Sequence, residues 1–160
     1  MKNKKWIAVV LFMVLCLALQ ACGRNSAPSM RLIGSKWTVK EMENSSFTIE
    51  EAKVAGSYTT ESGETLMPDA GDHFLVLSCN VSFAEGVKVD SMRLTYSEGG
   101  FTAEWPQGPY ETGSRTVYIF RVPQNLLPDE TVLTAGKFCL NVNLRMGETA
   151  CGEDFSLQKR

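Results

Sequence analysis

Leu75-Val76-Leu77-Ser78-Cys79-Asn80-Val81-Ser82-Phe83 is the stretch on which the fold turns. Leu75, Leu77, Cys79, Val81 and Phe83 recur at every second position, with Ser78, Asn80 and Ser82 between them. Side chains of an extended strand alternate between two faces, so this spacing gives one apolar face and one polar face. The segment reads as a β-strand whose apolar face is core.

The same grammar extends in both directions. Upstream, Trp37, Val39 and Glu41 begin one segment, and Phe47, Ile49 and Val54 mark another; the residues between Val54 and His73 read as a long loop. Downstream, Met92, Leu94 and Tyr96 alternate with Arg93 and Thr95, and the Glu98-Gly99-Gly100 turn leads into Phe101, Ala103 and Trp105, so 91–105 reads as a hairpin. Tyr118, Phe120 and Val122 form a strand ended by Pro123; Phe138, Leu140, Val142 and Leu144 form another, with Cys139, Asn141, Asn143 and Arg145 facing the other way. Phe155 and Leu157 close the pattern. No stretch after the first 21 residues sustains helical periodicity. The fold class is therefore all-β, an immunoglobulin-like antiparallel β-sandwich over residues 36–160, with a small antiparallel barrel as the alternative.

Three pieces of this pattern resemble a known group. Gly71-Asp72-His73-Phe74-Leu75-Val76-Leu77, then Met92-Arg93-Leu94 through Glu98-Gly99-Gly100-Phe101, then Thr116-Val117-Tyr118-Ile119-Phe120-Arg121-Val122-Pro123 are similar to the telokin-like, immunoglobulin-like domain of many bacterial lipoproteins. The likeness spans roughly residues 36–158, and the chain departs from it at Phe83-Ala84-Glu85-Gly86. It implies a β-sandwich with no shared catalytic residue; from the chain as a whole, no cofactor is expected.

The beginning of the chain fits that group. Lys2, Lys4 and Lys5 precede an uncharged run from Trp6 to Ala21, the order of an export signal. Those 16 residues fall short of the roughly 20 that an α-helix needs to cross a bilayer. The run ends in Leu19-Gln20-Ala21-Cys22, which resembles the lipobox of bacterial lipoproteins. That resemblance implies a signal helix over 1–21, cleavage after Ala21, and a diacylglyceryl group on the Cys22 thiol. Several acyl chains hold a protein on a membrane because each buried methylene contributes about 0.8 kcal/mol. Residues 22–35 then read as a lipidated, flexible tether, and the expected location is the extracytoplasmic face of a cell membrane.

Removing 1–21 takes away three lysines and no acid, leaving 13 basic residues against 18 acidic ones. A net −5 without a basic run argues against a nucleic-acid partner. Cys16 leaves with the signal and Cys22 is taken by lipid, so Cys79, Cys139 and Cys151 are the cysteines that can pair. Cys79 alternates with core residues, which makes Cys139–Cys151 the preferred disulfide.

Little in the chain points to catalysis. Its single histidine, His73, adjoins Asp72 and lies near Asp69, a set with the chemistry of a zinc or manganese site and the only basis for a metal-dependent hydrolase. No Gly-x-Ser-x-Gly nucleophile turn accompanies it. Met30, Met42, Met67, Met92 and Met146 lack the spacing of a copper site. Glu50 and Glu51 are expected on opposite faces, where they cannot address one bond. The most suggestive segment for binding is Phe101–Tyr110, in which Phe101, Trp105 and Tyr110 alternate with Pro and Gly and offer contact area to an envelope protein or a glycan. The expected function is a non-catalytic, ligand- or protein-binding module on a lipid anchor; the alternative is a structural accessory subunit of an envelope complex.

Overall fold

A computed structural model describes residues 30–159. The expected signal segment, Cys22 and most of the expected tether lie outside those residues. In chain order the strands are β1 Arg31–Leu32, β2 Trp37–Val39, β3 Ser45–Ala55, β4 Tyr58–Thr59, β5 Thr65–Leu66, β6 Asp72–Ser82, β7 Lys88–Tyr96, β8 Thr102–Glu104, β9 Gln107–Thr112, β10 Arg115–Pro123, β11 Phe138–Met146 and β12 Thr149–Ser156. One sheet has the order β1-β12-β11-β7-β8 and the other β2-β3-β6-β10-β9, with β4 and β5 forming a separate hairpin. Counting β3, β6, β7, β9, β10, β11 and β12 as first to seventh strand, one sheet runs first-second-fifth-fourth and the other seventh-sixth-third. That is the immunoglobulin arrangement, with β1, β2 and β8 as added edge strands.

The deciding stretch lies in β6. Leu75, Leu77 and Cys79 are fully buried between the sheets, facing Leu140, Val142 and Leu144 of β11 across the core. Each such aliphatic side chain contributes about 1.5–3 kcal/mol relative to exposure. Trp37, Phe47 and Phe155 close one side, with the Phe47 and Phe155 ring centroids 5.7 Å apart in an edge-to-face arrangement.

Several expectations change. The β6 strand has a second apolar face: Phe74 and Val76, with Val117 and Ile119 of β10, form a smaller cluster on the outside of their sheet. The expected 54–73 loop supplies its cover, since the β4–β5 hairpin brings Tyr58 and Leu66 onto it. The ordered sheet begins at Arg31 rather than at residue 36, because β1 pairs with β12 through Arg31↔Phe155. That pairing is parallel, whereas every other pairing among the described residues is antiparallel. The segment expected to run through Glu41 ends at Val39, where a 3₁₀ turn at Lys40–Met42 tucks Met42 into the core.

A bulge corrects the reading of Glu50 and Glu51. The β3–β6 register passes from Ile49↔Cys79 to Glu51↔Ser78, so Glu50 is an extra residue. The two acids therefore share the outer face, where Glu50 pairs with Arg115 at 2.8 Å and Glu51 with Lys53 at 3.2 Å.

Candidate functional site

The chain changes sheets between β8 and β9, and the crossing residue is Trp105. Ala103, opposite Leu94, packs against the core, and Trp105 would be the next inward residue by alternation. Its φ is +60°, which swings the side chain outward instead, and 60% of it is exposed. The left-handed conformation costs an L-residue roughly 1–2 kcal/mol. A hydrogen bond from the Trp105 N–H to the Met92 carbonyl, 2.9 Å, helps hold it. Past the crossing, Gly108 has φ +109° and an added Cβ would stand 2.7 Å from the Val117 carbonyl oxygen. Only glycine lets β9 approach β10 there.

Trp105 stands between two concavities. One is a groove of about 390 Å³ opening between the sheets, lined by Val81, Phe83, Val87, Val89, Met92 and Tyr118, with Trp105, Pro106 and Pro109 along its rim. Its polar members are Lys88, Glu111 and Thr116, and the Thr116 hydroxyl donates to the Glu111 carboxylate at 3.2 Å. Burial, reinforced by Cys79 and Glu111, pushes the Tyr118 hydroxyl far above its ordinary pKa, so it stays a neutral phenol. The second concavity is a polar hollow of about 140 Å³ on the outer face of the other sheet, bordered by Ser91, Arg93, Glu104, Asn141 and Asn143.

The three aromatics expected to share a binding surface are separated. Phe101 packs against the main core, and Tyr110 lies on the outer cluster of the opposite sheet, 5.8 Å from the Tyr58 ring. Sheet crossing at Trp105 reverses which face the following residues address. Trp105 alone borders the concavities.

The expected Cys139–Cys151 disulfide is also corrected. Cys139 pairs with Ser156 in the β11–β12 register while Cys151 pairs with Leu144, five rungs away. Leu144 is core and Cys139 alternates to the outside, so the two thiols occupy opposite faces. Cys79, Cys139 and Cys151 are all free. Burial first, then Asp154, raises the Cys139 thiol above its ordinary pKa and keeps it protonated.

Asp69, Asp72 and His73 do not converge. Asp72 and His73 are successive β6 residues on opposite faces, and Asp69 pairs with Arg121 at 2.6 Å. His73 Nδ1 donates to the Leu127 carbonyl at 2.8 Å. Among the described residues no three His, Cys, Asp or Glu side chains stand close enough to hold a metal. Met42 and Met92 are core residues, while Met30 and Met67 are exposed far from them in the sequence. No helix among the described residues is long and apolar enough to cross a membrane.

The residues missed in the sequence are those around the hollow. Asn141 and Asn143 are legible as outward-facing, but Ser91, which completes the row, comes from β7, 52 residues before Asn143.

Together these features define the class: an immunoglobulin-like β-sandwich with an aromatic-rimmed groove at one open edge. No protein-family model matches the chain, and no curated protein matches it in sequence. Among solved structures it is similar to an uncharacterized β-sandwich protein from Clostridium difficile 630, with 7% identity and a TM-score of 0.47, over 82% of this chain and 98% of that one.

Proposed function

We propose that this chain is a bacterial lipoprotein anchored through Cys22 at the extracytoplasmic face of a membrane. Its telokin-like, immunoglobulin-like sandwich serves as a non-catalytic module that takes an apolar ligand group in the Trp105 groove. The observation that carries the binding half is Trp105, a strained, exposed aromatic at the mouth of a 390 Å³ apolar groove. Strain of this kind persists where the surrounding structure fixes it, and it clusters at functional sites. The groove volume lies within the range of small-ligand pockets, which are mostly apolar with a few placed polar groups. The anchoring half rests on Lys2, Lys4 and Lys5, the apolar run, and Leu19-Gln20-Ala21-Cys22.

Each half has its own test. Metabolic labelling with a fatty acid is expected to mark the wild-type chain and not Cys22→Ser; labelling of both would refute the anchor. For the groove, titration with N-phenyl-1-naphthylamine, an uncharged apolar fluorophore, is expected to saturate near one equivalent and to be lost in Val89→Trp. Equal binding by the blocked variant would refute the groove.

A further inference from the structure

We propose that the polar hollow beside Trp105, on the outer face of the β12-β11-β7-β8 sheet, binds a pyranose ring of a neutral oligosaccharide. This deepens the binding-module reading but uses a different surface from the apolar groove.

The hollow is built against the local preferences of a strand. Asparagine is depleted in strands, yet Asn141 and Asn143 occupy successive outward positions of β11, which has neighbours on both sides. Glycine weakens a strand interior unless close approach requires it. Gly152 lies opposite Asn143 in the register, and an added Cβ at 152 would collide with Asn143 Oδ1. The glycine therefore makes room for the asparagine carboxamide.

The side chains are ordered by a hydrogen-bonded row across three strands. Asn141 Nδ2 donates to Asp154 Oδ1 at 2.8 Å. Asn143 Nδ2 donates to Asn141 Oδ1 at 2.7 Å and to Ser91 Oγ at 2.8 Å. Both Asn143 amide protons are thus committed. The Ser91 hydroxyl, already accepting one bond, has its own proton to donate, and Asn141 Nδ2 keeps a second proton, while Asn143 Oδ1 is turned toward Gly152 of β12. Those protons, with the carboxylate oxygen of Glu104 that Arg93 leaves free on the hollow's border, offer donors and an acceptor to the vicinal hydroxyls of a sugar, each of which can donate and accept.

Charge selects a neutral ligand. Arg93 and Glu104, which flank the row, neutralise each other at 2.9 Å while retaining guanidinium protons and a carboxylate oxygen for hydroxyls. Trp105 borders the same hollow with most of its ring exposed, and a flat aromatic surface is what the apolar face of a pyranose stacks on. At about 140 Å³ the hollow is well below the ~300 Å³ of a typical enclosed small-molecule pocket. One ring resting on the surface fits that size.

The test is calorimetric and fluorescence titration of the full chain, held in a detergent without sugar, with chitotetraose, cellotetraose and mannotetraose in turn. At least one is expected to bind saturably and to shift tryptophan emission. Trp105→Ala and Asn143→Ala should each weaken that binding at least tenfold, Gly152→Ala should do the same by displacing Asn143, and Val89→Trp should leave it unchanged. Absence of saturable binding by all three sugars, or binding that survives both Trp105→Ala and Asn143→Ala in folded protein, overturns the proposal. Sugar failure with N-phenyl-1-naphthylamine binding intact removes this site and leaves the groove reading standing.

Discussion

The two sheets share one core but treat their outer faces differently. Outside β6 and β10, Phe74, Val76, Val117 and Ile119 are buried beneath the chain's own β4–β5 hairpin. Outside β7, β11 and β12, the corresponding surface carries Ser91, Asn141, Asn143 and Asp154, half-buried and hydrogen-bonded to one another with no strand laid over them. Apolar side chains on a sheet's outer face need a cover to stay out of water, whereas a hydrogen-bonded polar row can face solvent and still be ordered. The first face stabilises the domain, and the second is the open face that carries the proposed sugar site.

The sharpest way to break this contrast is to cut into the covered face. Phe74→Ala is expected to cost about 3–5 kcal/mol, read as a lowered denaturant midpoint. A loss under ~1 kcal/mol would mean that the hairpin does not seal that face. On the open face, Asn143→Ala removes two hydrogen bonds of a half-buried amide, each with a net contribution of about 1 kcal/mol. A stability loss of at most ~2 kcal/mol in the same assay is expected, so the row's larger consequence should appear in sugar affinity.

Trp105→Gly should go the other way. Glycine adopts positive φ without the Cβ penalty, so thermal unfolding is expected to be unchanged or raised by up to ~1 kcal/mol, while ligand binding falls. Marked destabilisation would identify Trp105 as a structural cap. A more gradual effect belongs to the core between the sheets. Burial raises the folded-state pKa of Cys79 and of Tyr118. The folded protein therefore holds protons that the unfolded chain releases at alkaline pH. Stability should be level between about pH 7 and 8.5 and fall as pH rises, first through Cys79 and the less buried Cys139 and then, above about pH 10, through Tyr118. Cys79→Ala should remove most of the earlier part of that fall and leave the share of Cys139, as denaturant titrations from about pH 7 to 10.5 would detect.

Much of this architecture is legible in the alternation of Leu75, Leu77 and Cys79 and of Leu140, Val142 and Leu144, because a strand with one buried face writes its period directly into the sequence. The bulge at Glu50 has no such trace, since one inserted residue changes the face without changing composition. The covered outer face was partly visible in the unbroken apolar run Val117–Phe120, the mark of a strand buried on both sides, but its cover comes from the 56–70 segment, which looks like a loop. For the site, Trp105 stands out as an aromatic beside proline. Phe101 and Tyr110 group with it in the sequence because nothing local announces that the chain changes sheets there. Asn143 depends on Ser91, 52 residues earlier, and on Gly152 in the next strand, so the row exists only once the strands pair.

The most direct test of the contrast between the two outer faces is a nitrogen-15 NMR titration of the full chain with the oligosaccharide that binds. The Trp105 indole N–H and the Asn141 and Asn143 side-chain amides are expected to shift with one common saturation curve, while the backbone amides of Val76 and Ile119 stay in place. Shifts confined to the Val76 and Ile119 face, or no saturable shift at Trp105 and Asn143, would contradict the account.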